Sequence, residues 1–114
     1  MAGLTLREIA EKYRPFGIQK GVEFLLPPDK MTQMIDDLAQ SDVLILGCDL
    51  WRYVDREKNW IVQLVGVGYD IGEANPTARD AATMIKQFLS TKLPGDAEMV
   101  SLLWADLSVY ACFK

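Results

Sequence analysis

Apolar residues recur along this chain with two periods, and the period changes where proline and glycine cluster. Leu6, Ile9, Ala10 and Tyr13 fall at the i, i+3, i+4, i+7 spacing of one helix face. The pattern predicts a short helix from Thr5 to Tyr13, with Thr5 and Glu8 at capping-box spacing. Pro15 ends it and Gly17 marks the exit. Val22 to Leu26, "VEFLL", reads as a short strand closed by Pro27-Pro28. Asp29 is placed to cap a second helix from about Lys30 to Gln40, with Met31, Met34, Ile35 and Leu38 on one stripe. Asp36 and Asp37 lie off that stripe, as a solvated face would.

Val43 to Leu46 are four consecutive branched apolar residues, which suits a strand covered on both faces, and Gly47 interrupts them. Leu50 to Val54 and Trp60 to Val67 follow as two strands joined by the charged tip Asp55 to Asn59. Gly66, Gly68 and Gly72 loosen the chain, and Asn75-Pro76-Thr77 opens a long helix. Ala78, Ala81, Ala82, Ile85, Phe88 and Leu89 form its packing face, and "KLPGD" ends it. Glu98 to Trp104 and Leu107 to Phe113 close the chain as one bent strand or two shorter ones. The order is α-β-α-β-β-β-α-β(β). It predicts an α+β domain spanning residues 1–114, with a mixed or mostly antiparallel sheet of about five strands and helices mainly on one face.

Composition narrows the chemistry. Half of the 114 residues are apolar and a quarter charged, as in ordinary globular domains, and the length suffices for a core without staples. The net charge of −4 disfavours nucleic acid as a partner and suits a basic protein. There is no histidine, which removes Ser-His-Asp and Cys-His catalysis and histidine metal sites together. Cys48 and Cys112 are far apart in apolar settings and read as buried free thiols. The N-terminal segment has acids among its apolar residues, unlike a secretory signal. No apolar run reaches the ~18 residues of a membrane span. The expected address is the cytoplasm, with no membrane partner.

Two segments invite a chemical reading. "VGVGYDIG" has the glycine density of a phosphate loop, but its last gap is too long for a dinucleotide fingerprint and it lacks the Gly-Lys-Ser/Thr of a P-loop. It reads as a glycine-softened strand end or bulge. In the strand around position 52, Asp49, Trp51, Tyr53 and Asp55 share one face by period two, and Leu50, Arg52 and Val54 take the other. Two acids and two aromatics fit a wet sheet face, a partner-binding face or a carboxylate pair. Trp60 and Trp104 read as core.

At "KGVEFLLPPDKMTQMIDDL … VLILGCDLWRYVDREKNWIVQ" and "ARDAATMIKQFLSTKL … MVSLLWAD" the chain resembles a small α+β family of bacterial immunity proteins, which accompany polymorphic toxins. The shared pattern is an apolar strand and helix, a strand ending in Gly-Gly-Asp before an apolar and an aromatic residue, a hairpin strand with a central Trp, and a helix leading into a final strand. Here the second element reads Gly47-Cys48-Asp49-Leu50-Trp51, with cysteine at the second glycine. The likeness covers about residues 20 to 105. It implies an inhibitor rather than an enzyme, with no cofactor. Such a protein binds a cognate toxin domain, basic at the contact, and blocks its active site or substrate entrance. It would be a monomer or weak dimer when free. The residues expected at the contact are Asp49, Trp51, Arg52, Tyr53, Asp55 and Glu57, extended by Asp70 and Glu73. Asp49 is equally open to a structural role at the strand end. The competing readings are a small carboxylate-based enzyme or nucleotide-binding domain, and a self-associating module that pairs its edge strands.

Overall fold

The computed structural model describes residues 3–71, 76–106 and 109–113. Helix α1 (Leu6–Tyr13) starts on the expected capping box: the Thr5 hydroxyl accepts from the Glu8 amide at 3.1 Å, and the Glu8 carboxylate accepts from the Thr5 amide at 3.0 Å. A 3-10 turn follows at Arg14–Phe16. Strands β1 (Ile18–Lys20) and β2 (Glu23–Leu25) then form an antiparallel ribbon; the first of them was not expected. Helix α2 (Pro28–Gln40) begins two residues early. Pro28 occupies its first turn, where the missing N–H costs nothing, and Asp29 lies inside the helix without capping it.

Strand β3 (Ile45–Asp55) is a single 11-residue strand that runs straight through Gly47. It pairs antiparallel with β4 (Trp60–Asp70) on one side and β5 (Met99–Trp104) on the other. The three strands lie in the order β4-β3-β5. A bridge from Leu26 to Val100 joins the small ribbon to the open side of β5. The fold is α+β, all described strand pairs are antiparallel, and the described residues hold five strands in two sheets, though not the five strands expected. The run at 43–46 is not covered on both faces, since Leu46 is exposed.

Helices α1, α2 and α3 (Ala78–Thr91) pack on the face that carries Cys48, Leu50, Val100 and Leu102, and form the main core with them. The β1–β2 ribbon covers part of the opposite face, where Leu25 meets Trp51, Ile61 and Met99. The end of the chain is a helical turn, α4 (Val109–Cys112), rather than a strand. Val109 and Phe113 are both buried at helical spacing. Phe113 stacks between Phe24 and Trp104, at centroid distances of 5.1 and 5.5 Å.

Asp36 and Asp37 are ties between helices, not a purely solvated face. The Tyr13 hydroxyl donates to Asp37 at 2.6 Å and the Lys12 ammonium joins the same oxygen at 2.8 Å. Burial and this carboxylate push the Tyr13 phenol up to about 12. Lys86 of α3 reaches Asp36. Replacing Asp37 by Ala orphans a part-buried hydroxyl and is expected to cost about 1–2 kcal/mol in urea unfolding. Asp36→Ala, which breaks a surface pair, is expected to cost under about 0.5 kcal/mol. Equal losses in the two variants would contradict this assignment.

Candidate functional site

β5 accompanies β3 only as far as Trp51, which pairs with Met99. Beyond that rung the β3–β4 hairpin continues with two strands. An 11-residue strand spans about 36 Å, and the molecule is accordingly elongated, 42 × 27 × 22 Å. The tip Arg56–Asn59 closes with the Asn59 amide donating to the Arg56 carbonyl at 3.2 Å. Asn59 takes a left-handed φ of 52°, which asparagine tolerates better than most residues. The Asp55 carboxylate accepts from the Glu57 and Lys58 amides at 3.0 and 3.3 Å. Asp55 therefore shapes the turn, as an Asx motif does.

The hairpin root is held by Glu98, a residue the sequence reading passed over. Its amide donates to the Trp51 carbonyl at 2.8 Å, which is the last backbone bond of the β5 side. Its carboxylate then accepts from the Tyr53 amide at 2.6 Å and pairs with Arg56. The side chain supplies one more rung where the strand backbone has ended. The Arg56 guanidinium also lies 4.6 Å from the centre of the Tyr53 ring.

The expected contact residues divide between two faces and several levels of the sheet. Trp51 is core: it is only 8% exposed, packs under Leu25, and donates its indole N–H to Ser101 at 2.9 Å. Tyr53 is half-buried beside it. Asp49 is half-buried on the same face, opposite Ser101 in the β3–β5 register. Arg52 is exposed on the other face, and Glu57 is exposed at the tip. Asp70 lies at the far end of β4, paired with Gly47, well away from the tip. Glu73 lies outside the described residues. The described acids are thus not gathered into one patch.

Trp60 is the reverse of its expectation. It is 55% exposed at the start of β4, not core. Its neighbour Ile61 is buried against the ribbon, so period two turns Trp60 to the other face. That face of β4 also carries half-buried Val62, paired with exposed Arg52, while a register shift past Tyr53 sets Trp60 opposite Asp55, with exposed Val54 next to Asp55 in β3. An exposed tryptophan with aliphatic neighbours on a projecting ribbon is a recognisable binding surface. Trp104, by contrast, is buried as expected.

The glycine segment is a bulge. Between the pairs Cys48–Tyr69 and Leu50–Leu64, one residue of β3, Asp49, stands against four of β4, residues 65–68, so three residues are in excess. Val65 projects from it at 90% exposure. A Cβ on Gly68 would press on the Cys48 carbonyl, and one on Gly47 would collide with the Tyr69 carbonyl oxygen. The glycines serve strand packing.

Elsewhere, a groove of about 330 Å³ between α3 and β4 has the stacked rings of Tyr69 and Phe88 as its floor. No group of three His, Cys, Asp or Glu side chains is placed to hold a metal among the described residues. Cys48 and Cys112 are both free, and burial pushes the Cys48 thiol up to about 11, well outside the range of a reactive thiolate. No helix among the described residues is long and apolar enough to cross a membrane. Compared with family models, curated proteins and solved structures, the chain gives no match.

Replacing Glu98 by Ala removes the extra rung. The Tyr53 amide is then expected to exchange with solvent about tenfold faster, while amides of α2 keep their rates. Unchanged protection at Tyr53 would show that the hairpin root does not depend on this carboxylate.

Proposed function

We propose that this protein is an immunity-type inhibitor that binds a cognate bacterial toxin domain and obstructs its active site or substrate entrance. The single observation that carries the reading furthest is the exposed Trp60 on a ribbon that extends past the body of the domain. The resemblance of the Gly47–Trp51 segment and the following hairpin to the immunity family points the same way. A narrow two-stranded projection can enter a cleft that a flat sheet face cannot, and a tryptophan contributes a large apolar area with little loss of side-chain freedom.

The contact surface in this proposal differs from the acidic face expected from the sequence. Trp60, Val54, Val62 and Arg52 form its centre. Asp55 and Glu57 are outnumbered at the tip by Arg52, Arg56 and Lys58, so the tip is not acidic. Overall charge still favours encounter with a basic partner, because long-range attraction depends on the whole molecule. Glu57 and Lys58 form the rim, where charge affects association rate more than lifetime.

The test is co-expression with the toxin domain encoded beside this chain, scored by host survival and co-purification. Rescue with co-purification is expected for the wild type. Trp60→Ala is expected to weaken the complex about 30-fold or more while leaving the free protein's unfolding transition in place, because the side chain is mostly outside the core. Glu57→Lys is expected to change the association rate by only a few-fold. Host death despite abundant folded protein would contradict inhibition of that toxin. Rescue with an unchanged affinity in Trp60→Ala would move the contact away from the hairpin.

A further inference from the structure

β4 is an outer strand of its sheet, and its backbone groups alternate between β3 and the open side. The direction of that alternation follows from β5. Val100 exchanges both backbone hydrogen bonds with Leu26, at 2.9 and 2.8 Å, so it faces away from β3. Its neighbours Met99 and Ser101 therefore face β3, where they meet Trp51 and Asp49. Leu50 and Arg52 turn the other way, to Leu64 and Val62 of β4. The Tyr53 amide, which turns to Glu98 on the β5 side, agrees with this alternation. Ile61 and Gln63 are left with amide and carbonyl directed out of the sheet at its open edge.

Such an edge is ordinarily blunted by charged residues, proline or a bulge. No charged residue and no proline occurs from Trp60 to Tyr69, in a chain that is one quarter charged. The bulge after Leu64 breaks the ladder and leaves the regular run Trp60–Leu64 open before it. That run is complementary to itself. A two-fold axis at Val62 sets Ile61 against Gln63 of a second copy, and Gln63 against Ile61, so every outward amide and carbonyl of these residues finds a partner. Trp60, 55% exposed, then lies beside Leu64 of the second copy, an aromatic–aliphatic cross-strand pair made twice. The two Val62 side chains meet at the axis. The same patch serves both copies, as a two-fold contact requires. Because the run carries no charge, the net charge of −4 on each copy is kept away from the seam.

We propose that the Trp60–Leu64 edge of β4 pairs antiparallel with the same edge of a second copy, about a two-fold axis at Val62, in a weak and exchanging homodimer. The weakness follows from size. Five residues of strand span about 17 Å, and a strip of that length falls well short of the roughly 1,200 Å² that a stable complex buries. The pairing rests on the edge alone and not on the toxin contact. Since the dimer covers Trp60, dimer and toxin complex would exclude each other at that residue.

The test uses the full chain by itself. Sedimentation from about 10 μM to about 1 mM is expected to show the mean mass rising from monomer towards dimer over that range. Gln63→Pro removes an amide that faces outward and spares the β3 ladder, so it is expected to hold the chain as monomer with its unfolding transition in place. Val62→Cys gives a positive readout that does not rely on that variant. The two positions form a pair without mutual hydrogen bonds, with Cα atoms about 4.5 Å apart, which a disulfide can bridge. Mild oxidation at about 1 mM should therefore cross-link Val62→Cys at least about tenfold above the wild type. Arg52→Cys, on β3, stands three strand spacings from its copy, about 14 Å, and should stay at the wild-type level. A monomer at every concentration would overturn the proposal. So would a dimer in which Val62→Cys cross-links no better than Arg52→Cys.

Discussion

Strand β3 is hydrogen-bonded along both edges, and the rest of the structure depends on that double pairing. Two neighbours of different length meet it. β5 stops at the rung of Trp51, while β4 follows β3 to its end. The mismatch divides the molecule into a body, where helices and ribbon bury both faces, and a projection with one buried and one open face. Gly47 and Gly68 make the pairing possible, because a side chain at either position would press into the carbonyl of the opposing strand. The bulge between them takes up three residues of β4 and restores the register on either side.

This arrangement decides which aromatics are available. Trp51 and Trp60 are nine residues apart in the same hairpin, yet one is anchored to Ser101 under the ribbon and the other stands free. Exposure follows from where the third strand ends and which face the ribbon covers. The open edge of β4 would invite pairing with another chain, but the bulge at Val65 to Gly68 interrupts the ladder that such pairing would extend. Glu98 completes the design by lending a carboxylate to the first unpaired amide of β3 beyond β5.

Local patterns were legible in the sequence where local physics decides. The stripe Leu6, Ile9, Ala10, Tyr13 and its Thr5–Glu8 cap, the face of α2, the long α3 and the hairpin tip follow from periodicity and capping chemistry. Of the four residues expected on one face of β3, the alternation holds for Asp49, Trp51 and Tyr53, and the register shift after Tyr53 interrupts it before Asp55. Hidden were features that depend on a distant partner. Period two does not say which face a short ribbon from residues 18–25 will cover, so the aromatic face looked open. The final segment alternates like a strand, yet it forms a helical turn that buries Val109 and Phe113. Ser101 and Glu98 carry no motif, and each matters through a neighbour more than 40 residues away. Proline mattered differently again: Pro28 started α2 and displaced Asp29 from the cap.

An inhibitor built this way would separate its tasks. The body sets stability through packed helices, inter-helix carboxylate ties and the ribbon, while the projecting hairpin offers a surface that the core does not need. A footprint tests that separation directly. Amide exchange of this chain would be measured alone and in complex with its toxin domain. New protection is expected over residues 52–62, centred on the strand positions around Trp60, with α2 and α3 unchanged. Protection confined to the outer faces of α2 and α3, with the hairpin exchanging as in the free protein, would contradict it.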